Sequence, residues 1–487
     1  MSLASFKYKL QAEIRVDDRD WRYTAPLPSP EKLDQARLVK TISLFLGDGK
    51  KQGIELTLMR AEENRAIRAD PLHKFLVVSL AEFRAPRRTS KELGPATQAT
   101  KKPLHPSTPR ECVEYSTRLL RTGITLQGVT YHFFGHSNSQ LKSRTCFLFA
   151  GTKEEISAKV EALGDFGKLK TVAKKAKRIG LLFSTAQAAL TINPDRVEDI
   201  PDIEKDDYVF TDGCGLIAPR LAQDLARRRG IVFRDKRYTP SVFQIRYRGY
   251  KGVVAVDPTM RDGKVLLRMR KSMKKFSGGD DLSFAVVEHS KPYAYGYLND
   301  EVVVLLDALG VELDVLRRKQ REHFDFLEEA SRDAGAAFRF LSYVNNPGLA
   351  ERVLVEEELG PVQGRINALV KGEYTKMLNK RDEQRCRILV PKSRLLFGIA
   401  DACGVLKEGE CAVKVTLVGD GQPAALKGMD VLVTRNPCLH PGDLQKFRVV
   451  EKPELAHLVD CIVFSTQGRR PAADLMSGGD LDGDTCE

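Results

Sequence analysis

Three aspartates that alternate with other residues near the end of the sequence are best suited to metal chemistry. Asp480, Asp482 and Asp484 lie in the run GGDLDGD. An extended segment would place the three side chains on one face, and the glycines also allow a tight loop that gathers them. Mutual repulsion raises the pKa of such carboxyl groups unless a cation neutralises them. Hard oxygen ligands favour Mg²⁺ or Ca²⁺ over softer metals.

The spacing of these aspartates leaves more than one interpretation open. A magnesium site keeps coordination positions for substrate phosphates, which is what two-metal phosphoryl transfer requires. A surface acidic turn and a calcium loop are the alternatives. The EF-hand pattern has Gly after its third acidic position, whereas Gly483 precedes Asp484 here. Spacing alone therefore favours a catalytic metal site or an acidic turn over a calcium loop.

The sequence carries a large surplus of positive charge. Lys and Arg number 78 against 65 Asp and Glu, a formal net charge of +13. Such a surplus favours a polyanionic partner, because each neutralised phosphate releases counterions. Two basic clusters lie at 227–229 and 268–275, and a third contains Lys168, Lys170, Lys174, Lys175, Lys177 and Arg178. Nucleic acid is thus a candidate partner, and ordinary solvated faces are the alternative.

Composition limits the class of protein. A chain of 487 residues is too long for one ordinary core, and 42% hydrophobic with 29% charged residues is typical of globular proteins. We find no apolar run long enough to span a bilayer and no N-terminal signal segment. The sequence therefore predicts a cytoplasmic or nuclear protein that is neither secreted nor membrane-bound. The nine cysteines include no C-x-x-C pair, which argues against a zinc module.

The order of helix-like and strand-like segments along the sequence predicts an α+β multidomain fold. In one helical part, apolar spacing from Val302 to Leu327 predicts a helix that ends near Gly335. A separate, basic stretch around 154–182 is also expected to be helical. The predicted domains are a mixed region at 1–130 with a basic, proline-rich loop near 84–110, a helix and strand region at 131–205, a β module at 206–295, a helical connector at 296–385 and a second β module at 386–487.

Short segments in a fixed order resemble one family of proteins. In the second β module they lie at 391–394, 396–398, 409–411 and 434–443, followed by the D-x-D-G-D motif. In and before the first module they lie at 137–141, 176–180, 212–215, 244–247, 250–252 and 272–276. Together they resemble the eukaryotic cellular RNA-dependent RNA polymerases of the RNA-silencing type, over roughly residues 130–487.

The resemblance implies an architecture. Each β module would be a double-psi β-barrel, the two barrels would be joined by the helical connector, and a mixed α/β region would precede them. Family members continue beyond the D-x-D-G-D motif. The resemblance therefore predicts a second, catalytic barrel that is C-terminally incomplete in this sequence.

The resemblance also implies roles for individual residues. The three aspartates would bind the catalytic magnesium, and Lys251 and Lys275 would point into the active site from the first barrel, where they would also bind substrate. Arg435 lies in a segment that is similar to an R-x-P-x-L-H element of DNA-directed RNA polymerases, which implies contact with the ribose of the incoming nucleotide. The basic stretch from Lys168 to Arg178 would line a channel for template or product.

The predicted function follows from these roles. It is Mg²⁺-dependent nucleotidyl transfer from NTPs to an RNA 3′-hydroxyl on an RNA template, with Mn²⁺ as a substitute ion, which makes double-stranded RNA for gene silencing. The implied partners are the RNA template, the product duplex and NTPs, with single-stranded DNA and silencing proteins as further candidates. The alternatives are DNA-templated RNA synthesis and an inactive truncated fragment that acts as a nucleic-acid-binding module.

Overall fold

The computed structural model describes residues 7–10, 26–46, 52–81, 83, 108–261, 263–279, 281–378, 386–417 and 421–487. The chain forms two compact units, one of residues 1–188 with 276–281 and the other of residues 189–275 with 282–487. The loop predicted near 84–110 lies outside the described residues except for its last three, where a helix begins. Among the described residues, no helix is long and apolar enough to cross a membrane. The five-part domain division stays a prediction.

The N-terminal unit is built around a seven-stranded sheet with the order β1-β3-β2-β4-β7-β6-β5. Alternation along β4 sends Leu76 and Val78 into one apolar cluster and Phe75 into another, so both faces of the sheet are covered. The elements are β1 (Lys7–Leu10), α1 (Pro30–Gln35), β2 (Leu38–Leu46), β3 (Gln52–Arg60), α2 (Arg65–Arg68), β4 (Phe75–Ser79), α3 (Pro109–Thr122), β5 (Ile124–Leu126), β6 (Val129–Gly135), α4 (Asn138–Lys142), β7 (Thr145–Ala150), α5 (Lys153–Leu163), β8 (Gly164–Asp165) and α6 (Val172–Ile179).

The rest of the chain contains two seven-stranded sheets with helices between them, called the two larger sheets because the other sheets there have two strands. It also contains one short strand, β19, that belongs to the N-terminal unit. The elements are β9 (Gln187–Thr191), β10 (Val197–Ile200), β11 (Glu204–Lys205), β12 (Tyr208–Val209), β13 (Cys214–Ile217), α7 (Pro219–Arg228), β14 (Val232–Phe233), β15 (Lys236–Arg237), β16 (Val242–Tyr247), β17 (Tyr250–Val256), β18 (Leu267–Arg270), β19 (Ser277–Gly278), β20 (Ser283–His289), β21 (Tyr297–Leu298), α8 (Asp300–Ala308), α9 (Leu313–Glu329), α10 (Ala334–Tyr343), α11 (Pro347–Glu356), α12 (Gln363–Leu378), β22 (Ile388–Leu389), β23 (Leu396–Ala400), β24 (Glu410–Thr416), β25 (Pro423–Ala425), β26 (Asp430–Val433), β27 (Gln445–Val449), β28 (Cys461–Phe464), α13 (Ala472–Leu475) and β29 (Thr485–Cys486).

The two larger sheets repeat one arrangement of four strands. The first sheet has the order β10-β18-β13-β17-β16-β20-β9, and the second has the order β26-β27-β24-β28-β23-β29 with β25 beside β24. Within them, β18-β13-β17-β16 and β29-β23-β28-β24 are each joined by antiparallel, parallel and antiparallel pairings. The four strands also follow the same chain order in both sheets. The two β modules therefore share a core topology.

One apolar cluster joins the two sheets. Buried residues of the first sheet lie in the same apolar cluster as the core residues of the second sheet. The contributors from the first sheet are Cys214, Val242, Val253 and Ala255, and those from the second include Ile399, Val413, Ile462 and Phe464.

Helices differ from the sequence-based expectation in three places. The helix predicted from Val302 to near Gly335 is wrong, because the chain turns at Gly310 (φ +92°) between α8 and α9, and α9 ends at Glu329, before Gly335. Gly335 instead lies in the first turn of α10, where the Asp333 carboxylate accepts a bond from the Ala336 amide at 2.7 Å. Helix α7 was not predicted in a region that we interpreted as β-rich.

The basic stretch around 154–182 is also not one helix. Helix α5 ends before Gly164, where β8 pairs with β19, and the ring of Phe166 packs 4.9 Å from that of Phe276. The residues between β8 and α6 form a turn and a bend rather than a helix. Lys168 and Lys170 precede α6, so the prediction of helix for these two residues is wrong.

A buried cation lies in the N-terminal sheet. Lys40 is 8% exposed, donates a hydrogen bond to the Tyr131 hydroxyl and lies 4.8 Å from the centroid of its ring. Burial lowers the pKa of Lys40 to about 8, although Asp34 acts in the opposite direction. Folding therefore takes a charged ammonium out of water at neutral pH.

Replacing Lys40 measures how much the burial of its charge destabilises the folded protein. Since the folded-state pKa is about 8 and the ordinary value is 10.5, the cost is complete below pH 8 and fades between pH 8 and 10.5. We expect Lys40→Met to raise the free energy of unfolding at pH 7 by about 1–3 kcal/mol. Calorimetry of the full chain should show a higher Tm at pH 7 and a smaller gain at pH 10. Lys142→Met, at an exposed position, is the control. An equal gain in Tm at pH 7 and pH 10 contradicts the account.

Candidate active site

The three motif aspartates lie in one loop between α13 and β29. Each offers a carboxylate oxygen, and these atoms all lie within 4.8 Å of one another. Asp482 is buried, and Asp480 and Asp484 are half-buried. A donor set of three clustered carboxylates fits a hard divalent cation such as Mg²⁺. The sequence-based expectation that these side chains converge therefore agrees with the geometry.

Backbone bonds and one glycine give the loop its shape. The Asp482 amide donates to Asp480 Oδ1 at 3.3 Å, and the Asp480 amide donates to Asp484 Oδ2 at 3.4 Å. Gly483 has φ +130°, and a Cβ there would lie 1.6 Å from Gln244 Nε2. Any other residue type there would have to displace the Gln244 side chain and adopt a φ that L-residues rarely adopt.

The first sheet approaches this loop through a second glycine. Gly213, just before β13, has φ +86°, and a Cβ there would lie 2.5 Å from the Cβ of Asp482. The Leu481 amide donates to the Asp212 carbonyl at 2.8 Å. The loop is therefore bound to the first sheet by backbone contact as well as by side chains.

Two lysines of the first β module reach Asp482. Lys251, on β17, places its Nζ 2.6 Å from both carboxylate oxygens. Lys275 Nζ lies 3.7 Å from Asp482 Oδ2 and donates to the Ser272 carbonyl at 2.8 Å. These are the two lysines that the resemblance implied, and they meet at one carboxylate.

A small polar network fixes the turn that carries Lys275. The Ser272 amide and hydroxyl donate to Asp202 at 2.9 and 2.7 Å, and the Thr211 hydroxyl donates to the same carboxylate at 2.9 Å. Ser272 Oγ in turn accepts the Gly213 amide at 3.0 Å. The network therefore joins the lysine turn to the glycine that touches Asp482.

The electrostatic environments of two neighbouring aspartates differ. Burial alone would raise the pKa of Asp482, but Lys251, then Lys275 and Arg246, outweigh it and hold the pKa below its ordinary value. Burial, Asp482 and Asp484 raise the pKa of Asp480 to about 6. Asp482 is therefore fully ionised at neutral pH, whereas the charge on Asp480 is costly.

Two residues of β16 belong to the site but were not assigned a role from sequence. Gln244 Nε2 donates to the Asp482 carbonyl at 3.4 Å. Arg246 is the register partner of Lys251 on β17, and burial lowers its pKa to about 10 while Asp482 acts against that shift. The available signal was the two-residue spacing of Gln244 and Arg246, which places both on one face of a strand.

Arg435 lies at the other side of the loop. Its Nε donates to the Asp484 carboxylate, and its backbone forms a β-bridge with Cys486. A Cβ on Gly479 would lie 2.6 Å from Arg435 Cδ, so the guanidinium arm packs on the backbone of the loop. The contact with ribose stays a prediction.

The basic stretch belongs to the N-terminal unit. Helix α6 buries none of its residues. Lys168, Lys170, Lys174, Lys175 and Lys177 are exposed and Arg178 is half-buried. Their role in binding nucleic acid stays a prediction.

The difference between Asp480 and Asp482 predicts opposite effects on stability. The pKa of Asp480 is about 6 against 3.8 ordinarily, so its contribution to stability falls as pH rises from 4 to 6 and stays low above. We expect Asp480→Asn to raise the free energy of unfolding of the metal-free protein by about 1–2 kcal/mol at pH 8. Asp482→Asn should lower it, because Lys251 and Lys275 lose their shared anion.

Thermal melts with EDTA at pH 4 and pH 8 measure both effects. The gain from Asp480→Asn should be small at pH 4 and larger at pH 8. A lower Tm for that variant at pH 8, or a gain that does not change with pH, contradicts the electrostatic assignment.

Comparison with known proteins extends these findings. The solved structure of the RNA-dependent RNA polymerase QDE-1 from Thielavia terrestris matches with a TM-score of 0.69 at 22% sequence identity, over 95% of this chain and 56% of that chain. That likeness shows a similar mixed α/β fold.

Sequence relatives and a family model agree with one another. A probable RNA-dependent RNA polymerase 1 from Oryza sativa subsp. japonica is 33% identical over 430 residues, which are 86% of this chain and 56% of that protein. The RNA-dependent RNA polymerase 1 of Arabidopsis thaliana is 33% identical over 435 residues, 86% of this chain and 37% of that protein. The chain thus spans little more than half of such relatives, or less. The family model for RNA-dependent RNA polymerases matches residues 55–487. The chain therefore belongs to the RNA-dependent RNA polymerase family.

Proposed function

We propose that this chain carries the catalytic centre of an RNA-templated RNA polymerase. The reaction is Mg²⁺-dependent transfer of a nucleotidyl group from an NTP to an RNA 3′-hydroxyl, and its product is double-stranded RNA used in gene silencing in the cytoplasm or nucleus. The observation that carries the proposal is the meeting of Lys251 and Lys275 from the first β module with Asp482 from the second. Family membership supports the choice of an RNA template.

The carboxylates would hold the ion, and Mn²⁺ is the expected substitute because it accepts the same oxygen ligands. A bound ion of this kind activates the attacking hydroxyl and neutralises charge on the phosphates. The chain's own task is to keep the carboxylates of Asp480, Asp482 and Asp484 close together. Lys251 and Lys275 would offset the charge that develops on the transferred phosphoryl group.

Recognition of substrates would use further cations. Arg435 lies at Asp484 and is the candidate for contact with the ribose of the incoming nucleotide. The exposed lysines of the N-terminal unit are suited to backbone phosphates, which bind cations without regard to sequence. The residues proposed for this role are Lys168, Lys170, Lys174, Lys175, Lys177 and Arg178.

The proposed scaffold is a pair of double-psi β-barrels joined by a helical connector. Support comes from the four-strand arrangement that the two larger sheets share and from the helices α8–α12 between them. Barrels of this kind would bring Lys251 on β17 and the turn that carries Lys275 to the aspartate loop.

Removing the buried carboxylate tests the metal assignment. We expect Asp482→Asn to reduce incorporation of a labelled nucleotide on an RNA template by at least about 10³-fold, because the ion contributes several kcal/mol to the transition state. Asp430→Asn, which changes an exposed carboxylate on β26, should retain activity. Retained activity in Asp482→Asn contradicts the assignment.

The same assay separates the alternatives. DNA-templated synthesis predicts faster incorporation on a DNA template of the same sequence, whereas the proposal predicts faster incorporation on RNA. A wild-type chain that binds RNA but incorporates no nucleotide on either template is a binding module.

Lys251 should act on the chemical step. We expect Lys251→Met to lower kcat by about 10²–10³-fold, as when one donor to a developing anion is removed. Lys446→Met, an exposed lysine on β27, is the matched control. Single-turnover incorporation measures the effect, and a kcat that does not change in Lys251→Met contradicts the role.

A further inference from the structure

One buried carboxylate joins the two turns that flank the candidate active site. Asp443 is 9% exposed, and its Oδ2 accepts the amides of Leu439 and His440, each at 3.0 Å. Its Oδ1 accepts the amide of Ser477, also at 3.0 Å. A single side chain therefore satisfies three backbone donors in two separate segments of the chain.

The first of these segments carries Arg435. Thr434 exchanges two backbone hydrogen bonds with Glu487, at 3.0 and 2.9 Å, which fixes the start of the segment beside the residue that follows β29. The Thr434 hydroxyl donates to the Asp443 carbonyl at 3.2 Å, which closes the segment into a turn. Arg435 projects from this turn to Asp484.

The second segment leads directly into the aspartate loop. Ser477 and Gly478 follow α13 with φ +56° and +64°. The left-handed region is unfavourable for a serine, so this turn persists only when its surroundings hold it. The bond from the Ser477 amide to Asp443 is one such restraint.

We propose that Asp443 is a positioning residue for the nucleotidyl transfer proposed above, on which this inference rests. By holding the Ser477 turn against the turn of residues 434–443, it fixes Arg435 relative to the three aspartates. Burial would raise the pKa of Asp443, but its three N–H donors outweigh burial and keep the pKa below its ordinary value. The side chain is therefore an anion at neutral pH, and both of its oxygens accept backbone hydrogen bonds.

The variant that tests this role most directly is Asp443→Asn. The amide keeps the shape of the carboxylate but has one acceptor oxygen, and its NH₂ group must face a backbone N–H. At least one of the two turns is released. We expect affinity for Mn²⁺ and for a fluorescent ATP analogue to fall about 10-fold, and KM for NTP to rise by a similar factor.

Controls separate positioning from simple loss of folded protein. Loss of folded protein lowers the number of binding sites and kcat but leaves dissociation constants and KM unchanged. Asp430→Asn removes a surface carboxylate that pairs with Lys446 and Arg448, and it should change none of these quantities. Electron paramagnetic resonance of free Mn²⁺ and fluorescence titration give the affinities without any need for turnover.

A second substitution tests the route through Ser477. Glycine adopts the left-handed region without strain. We therefore expect Ser477→Gly to restore part of the lost affinity when it is combined with Asp443→Asn. If Asp443→Asn does not fold, Thr434→Val removes a milder restraint on the same turn and should weaken both affinities by about 3-fold.

The possible outcomes are distinct. Weaker affinities with rescue by Ser477→Gly support the inference. Unchanged affinities in Asp443→Asn, or in Thr434→Val if that variant is used, overturn it. A wild-type chain that binds Mn²⁺ and nucleotide but does not incorporate rejects the proposed function while the affinities still decide the role of Asp443. A wild-type chain that binds neither overturns both.

Discussion

The ion pair between Lys251 and Asp482 is the interaction on which the rest of the site depends. The two side chains are 24% and 10% exposed and come from different β modules. In such a setting, removal of one partner leaves the other charge poorly solvated, so each module constrains the other. The shared apolar cluster, and the bond from the Val459 amide to Ser241 Oγ at 2.9 Å, keep the two modules in contact. The core of the protein thus sets the geometry of its candidate catalytic loop.

The repeated strand arrangement gives this pairing a simple form. Lys275 follows β18 and the aspartates precede β29, and these two strands occupy the same position in their sheets. One copy of the arrangement therefore supplies cations and the other supplies carboxylates. The environments push the pKa values of Asp482 and Asp480 apart, so that the loop combines an anion paired with lysines and a carboxyl group whose charge is costly.

Local sequence patterns predicted the aspartate cluster, because alternation within one short loop needs no knowledge of distant segments. They did not predict that Lys251 reaches Asp482, which only the family resemblance indicated, since the two residues are far apart in the chain. Arg246 was missed for the same reason. The helix expected at Lys168 failed because the packing of Phe166 against Phe276 overrides local helical propensity. The sequence therefore indicated the metal-binding residue types and the β-rich regions. Tertiary contacts determined which distant residues meet and where the helices end.

Localised cleavage of the polypeptide tests most directly whether residues of both β modules border the proposed metal site. With Fe²⁺ in place of Mg²⁺, peroxide and ascorbate generate hydroxyl radicals that cut the backbone near the ion. The account predicts fragments that end near 212–213, near 244–251 and within 480–484, and their loss when Mg²⁺ is added in excess. Cuts confined to 480–484, or cuts that persist in Asp482→Asn, would contradict it.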